Sequence, residues 1–262
     1  MNKAVRIAMW SGPRNLSTAL MRAFENRPDC AVVDEPFYAA YLAGTGLDHP
    51  MRAEVIASQP IDWRCVAERL VGPVPEGKAI FYQKHMTHHM LADFGRGWMV
   101  QCRNAFLIRA PSQVLASYVA RRETVDLADI GILQQAELFD LACDRLGAVP
   151  PVLDAADLRH HPREALAALC QALGIAFTPA MLRWPPGPRA SDGVWAPAWY
   201  GSVHRSTGFA PPPTLGVSVT DLPSHLQSIA RQADVSYRHM ARFRLTPRQA
   251  NESDRDGAEN QR

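Results

Sequence analysis

The 262-residue chain has no apolar run approaching the ~18 residues a membrane-spanning helix requires, which excludes a helical span and predicts a soluble protein with no membrane partner. It carries little excess charge. Lys and Arg number 28 against 26 Asp and Glu, a formal net charge of +2, so bulk electrostatics gives no case for nucleic acid and any anion site has to be built locally. The five cysteines, at positions 30, 65, 102, 143 and 170, form no CxxC pair and are odd in number. A disulfide framework is therefore excluded, and buried thiols in a reducing cytoplasm are expected. Met1, Asn2 and Lys3 alone precede the first strand-like run, leaving no room for an export signal. Cytoplasmic localisation is the expectation.

What is present fits one α/β domain over 1–245 with a full core, followed by a polar segment over 246–262 that offers nothing to a core and reads as a disordered tail. Short apolar runs at Ala4–Trp10, Ala31–Val33, Ala79–Gln83, Ala105–Ile108 and Val152–Leu153 read as strands. Between and after them, apolar residues recur every three or four positions over Ser17–Asn26, Trp63–Val71, Thr87–Phe94, Pro111–Arg122, Asp126–Leu146, Pro162–Leu173 and Asp221–Phe243, and these read as helices. Alternation of the two predicts a three-layer α/β/α fold with a mainly parallel central sheet. Arg183–Val217 is proline-rich and aperiodic, hence a loop, and its Trp195, Trp199, Tyr200 and Phe209 predict an ordered one. Trp195, Trp199 and Tyr200 read as core ahead of cofactor-stacking surfaces.

The first run leads into Ser11-Gly12-Pro13-Arg14-Asn15-Leu16-Ser17-Thr18, a small-residue turn opening a helix. Unsatisfied N–H groups at a helix N-terminus, the hydroxyls of Ser17 and Thr18 and the forked cation of Arg14 make this a phosphate cradle. Leu16 stands where the Walker A pattern places Lys, so the segment is a P-loop relative without the ATPase signature. Read alone, it also fits an ordinary strand–turn–helix capped by Asn15 or Ser17. A second strand ends at Arg109, and a helix starts at Pro111, the first-turn position proline favours. Arg109 and Ser117, eight positions apart, can then face one anion.

In these two segments the chain resembles the sulfotransferases that use 3′-phosphoadenosine 5′-phosphosulfate. Gly12-Pro13-Arg14-Asn15-Leu16-Ser17-Thr18 is similar to their 5′-phosphosulfate loop, with Arg14 where many members have Lys, and Arg109 with Ser117 is similar to their 3′-phosphate pair. Val152-Leu153-Asp154-Ala155-Ala156-Asp157-Leu158 and the helix after Pro162 add a softer likeness, which spans Arg6 to Phe177 in all. The resemblance implies a P-loop-NTPase-like sulfotransferase fold, this nucleotide as donor, adenosine 3′,5′-bisphosphate as product, a small-molecule acceptor and no metal. No close copy of the Gly-rich Trp-Lys loop of the cytosolic members is present. Asp192–Phe209 occupies that place, as in bacterial sulfotransferase-like proteins, and leaves open whether Arg205 closes over the 3′-phosphate.

Sulfuryl transfer needs a base for the acceptor hydroxyl and cations at the leaving phosphate. The resemblance implies two bases: Glu35, after the second strand, and His85, beside Lys84 after the third; Glu35 is favoured, with Arg14 and Lys84 as cations. The plainer readings are a helix-start carboxylate for Glu35 and a solvated strand end for Lys84 and His85. His85 and His89 share an i, i+4 spacing, but no acidic or cysteine partner accompanies them to make a metal site. His160 and His161 read as an exposed turn. The rival functions are a P-loop kinase, disfavoured by the missing Lys, and a non-catalytic nucleotide-binding module. Acceptor specificity falls to loops such as Leu42–Pro60 and Arg183–Val217.

Overall fold

The computed structural model describes residues 4–119, 125–211 and 216–246, with the Val119 side chain left aside. Its first half runs β1 (Val5–Ser11), α1 (Ser17–Glu25), β2 (Cys30–Asp34), α2 (Tyr38–Thr45), α3 (Arg52–Ser58), α4 (Trp63–Val71), β3 (Ile80–Met86) and β4 (Arg103–Ile108). Then follow α5 (Pro111–Val119), α6 (Ile132–Leu146), β5 (Val152–Asp154), α7 (Ala155–His160), α8 (Pro162–Ala172), α9 (Ala196–Trp199), α10 (Gly201–His204) and α11 (Ser224–Ala241). The five strands form one sheet in the order β2-β3-β1-β4-β5, every pairing parallel.

Period-two alternation along the strands divides the core into two layers. Ala8, Trp10, Phe81, Phe106 and Ile108 face α4, α5, α6 and α11, where Leu70, Leu115, Phe139 and Ala230 meet them. Ile7, Met9, Tyr82, Leu107 and Leu153 face α1, α7 and α8 through Leu20, Phe24, Leu158 and Leu169. Each large apolar side chain buried this way contributes roughly 1.5–3 kcal/mol, and the result is the three-layer α/β/α arrangement.

The departures from sequence expectation are local. Thr87–Phe94 is not a regular helix: β3 runs on to Met86, and only one turn of 3-10 helix, Thr87–His89, follows. α6 begins at Ile132, because Gly131 sits in the left-handed region at φ 64° and starts the helix later than the apolar pattern predicts. Two helices, α2 and α3, occupy most of the stretch read as the loop Leu42–Pro60, and α9 and α10 are short turns within the long loop after α8. The end of the Pro111–Arg122 pattern and the tail from 247 onward lie outside the described residues. Among the described residues no helix is long and apolar enough to cross a membrane.

Candidate active site

In a parallel sheet the turns beyond the strands' carboxyl ends form the ligand-binding edge, and the predicted loop sits there, between β1 and α1. Its floor is fixed by polar side chains that satisfy strand-end carbonyls. Asn15 Nδ2 donates to Leu107 O at 3.2 Å, and Gln135 Nε2 donates to the same carbonyl at 2.8 Å. Neither Asn15 nor Ser17 caps α1; the N-cap is Leu16, with no side-chain bond. Arg14 and Leu16 both adopt positive φ, 62° and 68°, a conformation that costs a non-glycine residue on the order of 1 kcal/mol and collects at ligand-binding loops. At Gly12 an added Cβ would lie 2.5 Å from Ile130 O, so only glycine fits beneath the segment leading to α6.

The eight-residue pair meets this loop directly. Arg109 donates from its guanidinium to Arg14 O at 2.6 Å and from Nε to Gln113 Oε1 at 3.3 Å, while Arg14 Nε donates to Ser117 Oγ at 3.1 Å. The three residues singled out from sequence are thus joined, although 95 and 103 positions separate them along the chain. Burial, then the neighbouring cations Arg159 and Arg14, lower Arg109 to about 10, with Asp154 opposing. Sequence reasoning missed Arg159: its Nε is buried without a hydrogen-bond partner, and nothing in its position within α7 marks it out. Three guanidinium groups, Arg14, Arg109 and Arg159, gathered at one edge suit a doubly charged anion.

A second cluster lies at the same edge, across β2 and β3. The register pairs Asp34 with Lys84, and Lys84 with Met9, two residues before β1 ends. Lys84, 1% exposed, donates to Asp34 Oδ1 at 2.8 Å, to Glu35 Oε1 at 2.5 Å and to the Tyr200 hydroxyl at 2.8 Å, which fills its three N–H positions. Tyr200 in turn donates to Asp34 Oδ2 at 2.6 Å and accepts from Trp195 Nε1 at 3.1 Å. Burial raises Glu35 above the usual carboxylate range, with Asp34 adding to the effect and Lys84 opposing it. Burial alone would lower Lys84, but the two carboxylates override it and hold the ammonium charged. Glu35 also has φ 40°, a strained backbone held in place by Gln59, whose amide donates to Glu35 O at 3.2 Å. Asp34 and Tyr200 were not among the residues singled out for chemistry; the adjacent acids at a strand end were the only available signal.

The other expected site residues separate clearly. His85 is not at a solvated strand end but inside the core, 1% exposed, stacked on Trp10 with ring centroids 4.4 Å apart and lying 5.4 Å from Trp98. The cause is strand alternation: once β3 extends to Met86, Lys84 and His85 must face opposite sides, and only Lys84 faces the carboxylates. Burial, then Lys84, lower His85 to about 3, so the ring is a neutral packing element. Arg205 is exposed beside Gly201 on the C-cap of α10, with no hydrogen bond to the Arg109–Ser117 pair. Over its described part the long loop packs on the domain: Trp195 and Tyr200 are buried as expected, whereas Trp199 is exposed, and Arg22 of α1, 1% exposed, holds Asp192 at 2.5 Å, with Asp192 accepting from His204 at 2.9 Å.

Against this geometry, the sequence profile of the sulfotransferase domain matches residues 5–229, most of the chain. The chain belongs to the sulfotransferase-domain family. Among solved structures, this sulfotransferase-domain chain shares its fold with the sulfotransferase domain of the Synechococcus olefin synthase (TM-score 0.60, 18% identity, 91% of this chain and 97% of that one). A sulfotransferase from Alicyclobacillus acidocaldarius is also similar (TM-score 0.52, 12% identity, 93% and 98%). Two Arabidopsis thaliana proteins named branched-chain-amino-acid aminotransferase-like proteins 1 and 2 are 39% identical over 209 residues and 35% identical over 206. The alignments take in 79% of this chain but only 37% and 36% of those proteins, so the chain spans little more than a third of their length.

Proposed function

We propose that this sulfotransferase uses 3′-phosphoadenosine 5′-phosphosulfate and transfers its sulfuryl group to a hydroxyl or amine of a small-molecule acceptor. The observation that carries the reading is the presence, on one sheet edge, of a loop joined to Arg109 and Ser117 through Arg14 and of a buried Lys84–Glu35 pair. In this reading Gly12, Pro13, Arg14, Asn15, Leu16, Ser17 and Thr18 hold the 5′-phosphosulfate end, and Arg109 and Ser117 hold the 3′-phosphate. The guanidinium groups of Arg14 and Arg159 beside Arg109 fit that second phosphate. The nucleotide, when bound, supplies an electrophilic sulfur on a phosphate leaving group.

The chain's own residues do the rest. Glu35, raised toward neutrality by burial, removes the acceptor proton as the nucleophile attacks. Arg14 and Lys84 offset the charge that builds on the departing phosphate and on the sulfuryl oxygens. The cysteines of the chain are free thiols, in keeping with a reducing cytoplasm as the site of action. The test is calorimetry of adenosine 3′,5′-bisphosphate, ADP and ATP on the full chain, joined to transfer assays with Glu35→Gln. Tighter binding of the bisphosphate, with Glu35→Gln keeping that affinity and losing roughly 10²-fold in turnover, is the expected result. Equal affinity for ADP, or an undiminished Glu35→Gln enzyme, refutes it.

A further inference from the structure

The face of Glu35 turned away from Lys84 meets a histidine that neither the phosphate loop nor the carboxylate cluster uses. His89 closes the turn after β3, and Thr87 anchors that turn by donating from its hydroxyl to Gly131 O at 2.9 Å. The imidazole is 2% exposed and fixed between two tyrosines: Tyr38 stacks on it at 4.5 Å and 11°, Tyr41 at 4.8 Å and 27°. Its Nδ1 is buried with no hydrogen-bond partner and lies 4.0 Å from Glu35 Oε2. A locked ring with an unsatisfied buried nitrogen, pointed at the group that is to remove a proton, is costly unless something fills the gap.

One atom fits both partners. An oxygen about 2.8 Å from each subtends an angle of roughly 90° across the 4.0 Å separation, close to what a hydroxyl accommodates. We propose that Glu35 Oε2 and His89 Nδ1 together hold the oxygen of a hydroxyl acceptor, which restricts the acceptor to alcohols or phenols and excludes amines. This rests on the sulfotransferase reading above and narrows it.

The tautomer follows from electrostatics. Facing a carboxylate, the neutral ring is more stable with its proton on Nδ1 than with a lone pair there. Burial first, then the neighbouring His88, Lys84, His49 and His85, hold His89 well below its usual value and keep it neutral. Nδ1–H then donates to one lone pair of the acceptor oxygen, whose O–H donates to Glu35 Oε2. The second lone pair attacks sulfur: the O–S bond forms, the bond from sulfur to the phosphate oxygen breaks, the proton passes to Glu35 and the bisphosphate leaves with the electron pair. A neutral amine has a single lone pair. If it accepts from His89 it has none left for sulfur, and if it does not, the buried Nδ1–H stays unsatisfied.

The test uses the full chain and two independent readings. Nitrogen-15 NMR of the imidazoles is expected to show His89 neutral and protonated at Nδ1 at pH 7; a proton on Nε2 instead overturns the proposal. Transfer from labelled donor is then compared for benzyl alcohol against benzylamine and phenol against aniline, in the natural chain, His89→Phe and His89→Asn. The expected pattern is turnover of the hydroxyl compounds alone, a 10–100-fold loss of kcat/KM in His89→Phe with unchanged affinity for adenosine 3′,5′-bisphosphate, and substantial recovery in His89→Asn, whose amide N–H replaces Nδ1–H. Amines turned over as well as their hydroxyl partners, or Asn no better than Phe, would overturn it while leaving the nucleotide reading intact. Failure of the bisphosphate to bind the natural chain defeats that underlying reading instead. If His89→Phe does not fold, the Asn variant and the acceptor preference decide; if none of these acceptors reacts, the tautomer does.

Discussion

Replacing His85 with Phe should leave sulfuryl transfer standing while changing how the protein responds to acid. His85 is 1% exposed, stacks on Trp10 at 4.4 Å and lies 5.8 Å from Phe37, so a phenyl ring of similar size keeps most of its packing. Its ring nitrogen shares a hydrogen bond with Gln83 Oε1 at 3.3 Å, worth about 1 kcal/mol at pH 7. Burial lowers the folded-state imidazole to about 3, against an ordinary 6.5. Above pH 6.5 both folded and unfolded states are neutral at this site and its contribution is complete. As pH falls, the unfolded chain takes the proton first, and stability drops at about 1.4 kcal/mol per pH unit until the folded value is reached. Between pH 7 and pH 5 the loss is about 2 kcal/mol, and the Phe variant has no such proton to bind. Denaturant unfolding of both chains at the two pH values is the assay. The difference in stability should move by about 2 kcal/mol in favour of the variant at pH 5. Parallel pH dependence, or a variant that folds and binds nucleotide yet transfers nothing, would return His85 to the chemistry and refute the argument.

Two further substitutions probe the two clusters. Arg109→Ala removes a charge-assisted contact from a sheltered site, so binding of adenosine 3′,5′-bisphosphate should weaken by about 1.5–3 kcal/mol in calorimetry while ADP changes little; equal losses for both nucleotides would count against a 3′-phosphate role. Tyr200→Phe leaves Asp34 Oδ2 with only the 3.4 Å contact from Gly193 N, and should cost about 1–3 kcal/mol in denaturant unfolding; a neutral outcome would mean that water replaces the hydroxyl.

The sheet and the loops at its carboxyl edge were legible because their signals are local. Apolar runs marked all five strands, and the turn chemistry from Gly12 to Thr18, with Pro111 opening the next helix, set the loop and the Arg109–Ser117 spacing. What escaped depends on chain segments far apart. Nothing near Tyr200 says that its hydroxyl meets Lys84, 116 positions earlier, and nothing near Arg159 says that it stands beside Arg109. The misplacement of His85 came from a boundary: β3 ends three residues later than Gln83, and in a strand each added residue reverses the face that the next one shows. His89 has no metal partner at a helical spacing to mark it, and the two tyrosines stacked on it come from α2, a helix hidden in a stretch of mixed small and aromatic residues.

The distribution of donors around the two carboxylates favours Glu35 over its neighbour as the base in the proposed reaction. Asp34 receives Lys84 at 2.8 Å, the Tyr200 hydroxyl at 2.6 Å and Gly193 N at 3.4 Å, so its two oxygens are committed to tying the long loop onto the end of β2. Glu35 receives Lys84 on one oxygen only, since the Tyr200 proton is spent on Asp34 and the 3.4 Å contact to Glu35 adds little. One ammonium serving two buried carboxylates leaves the carboxylate with fewer hydrogen-bond donors undercompensated, which is the condition that raises Glu35 above the usual carboxylate range. Asp34 thereby helps to set the basicity of Glu35, and the loop carrying Tyr200 and Trp195 becomes part of that setting: displace it, and Lys84 is free to settle on Glu35, lowering the basicity that the proposed reaction needs.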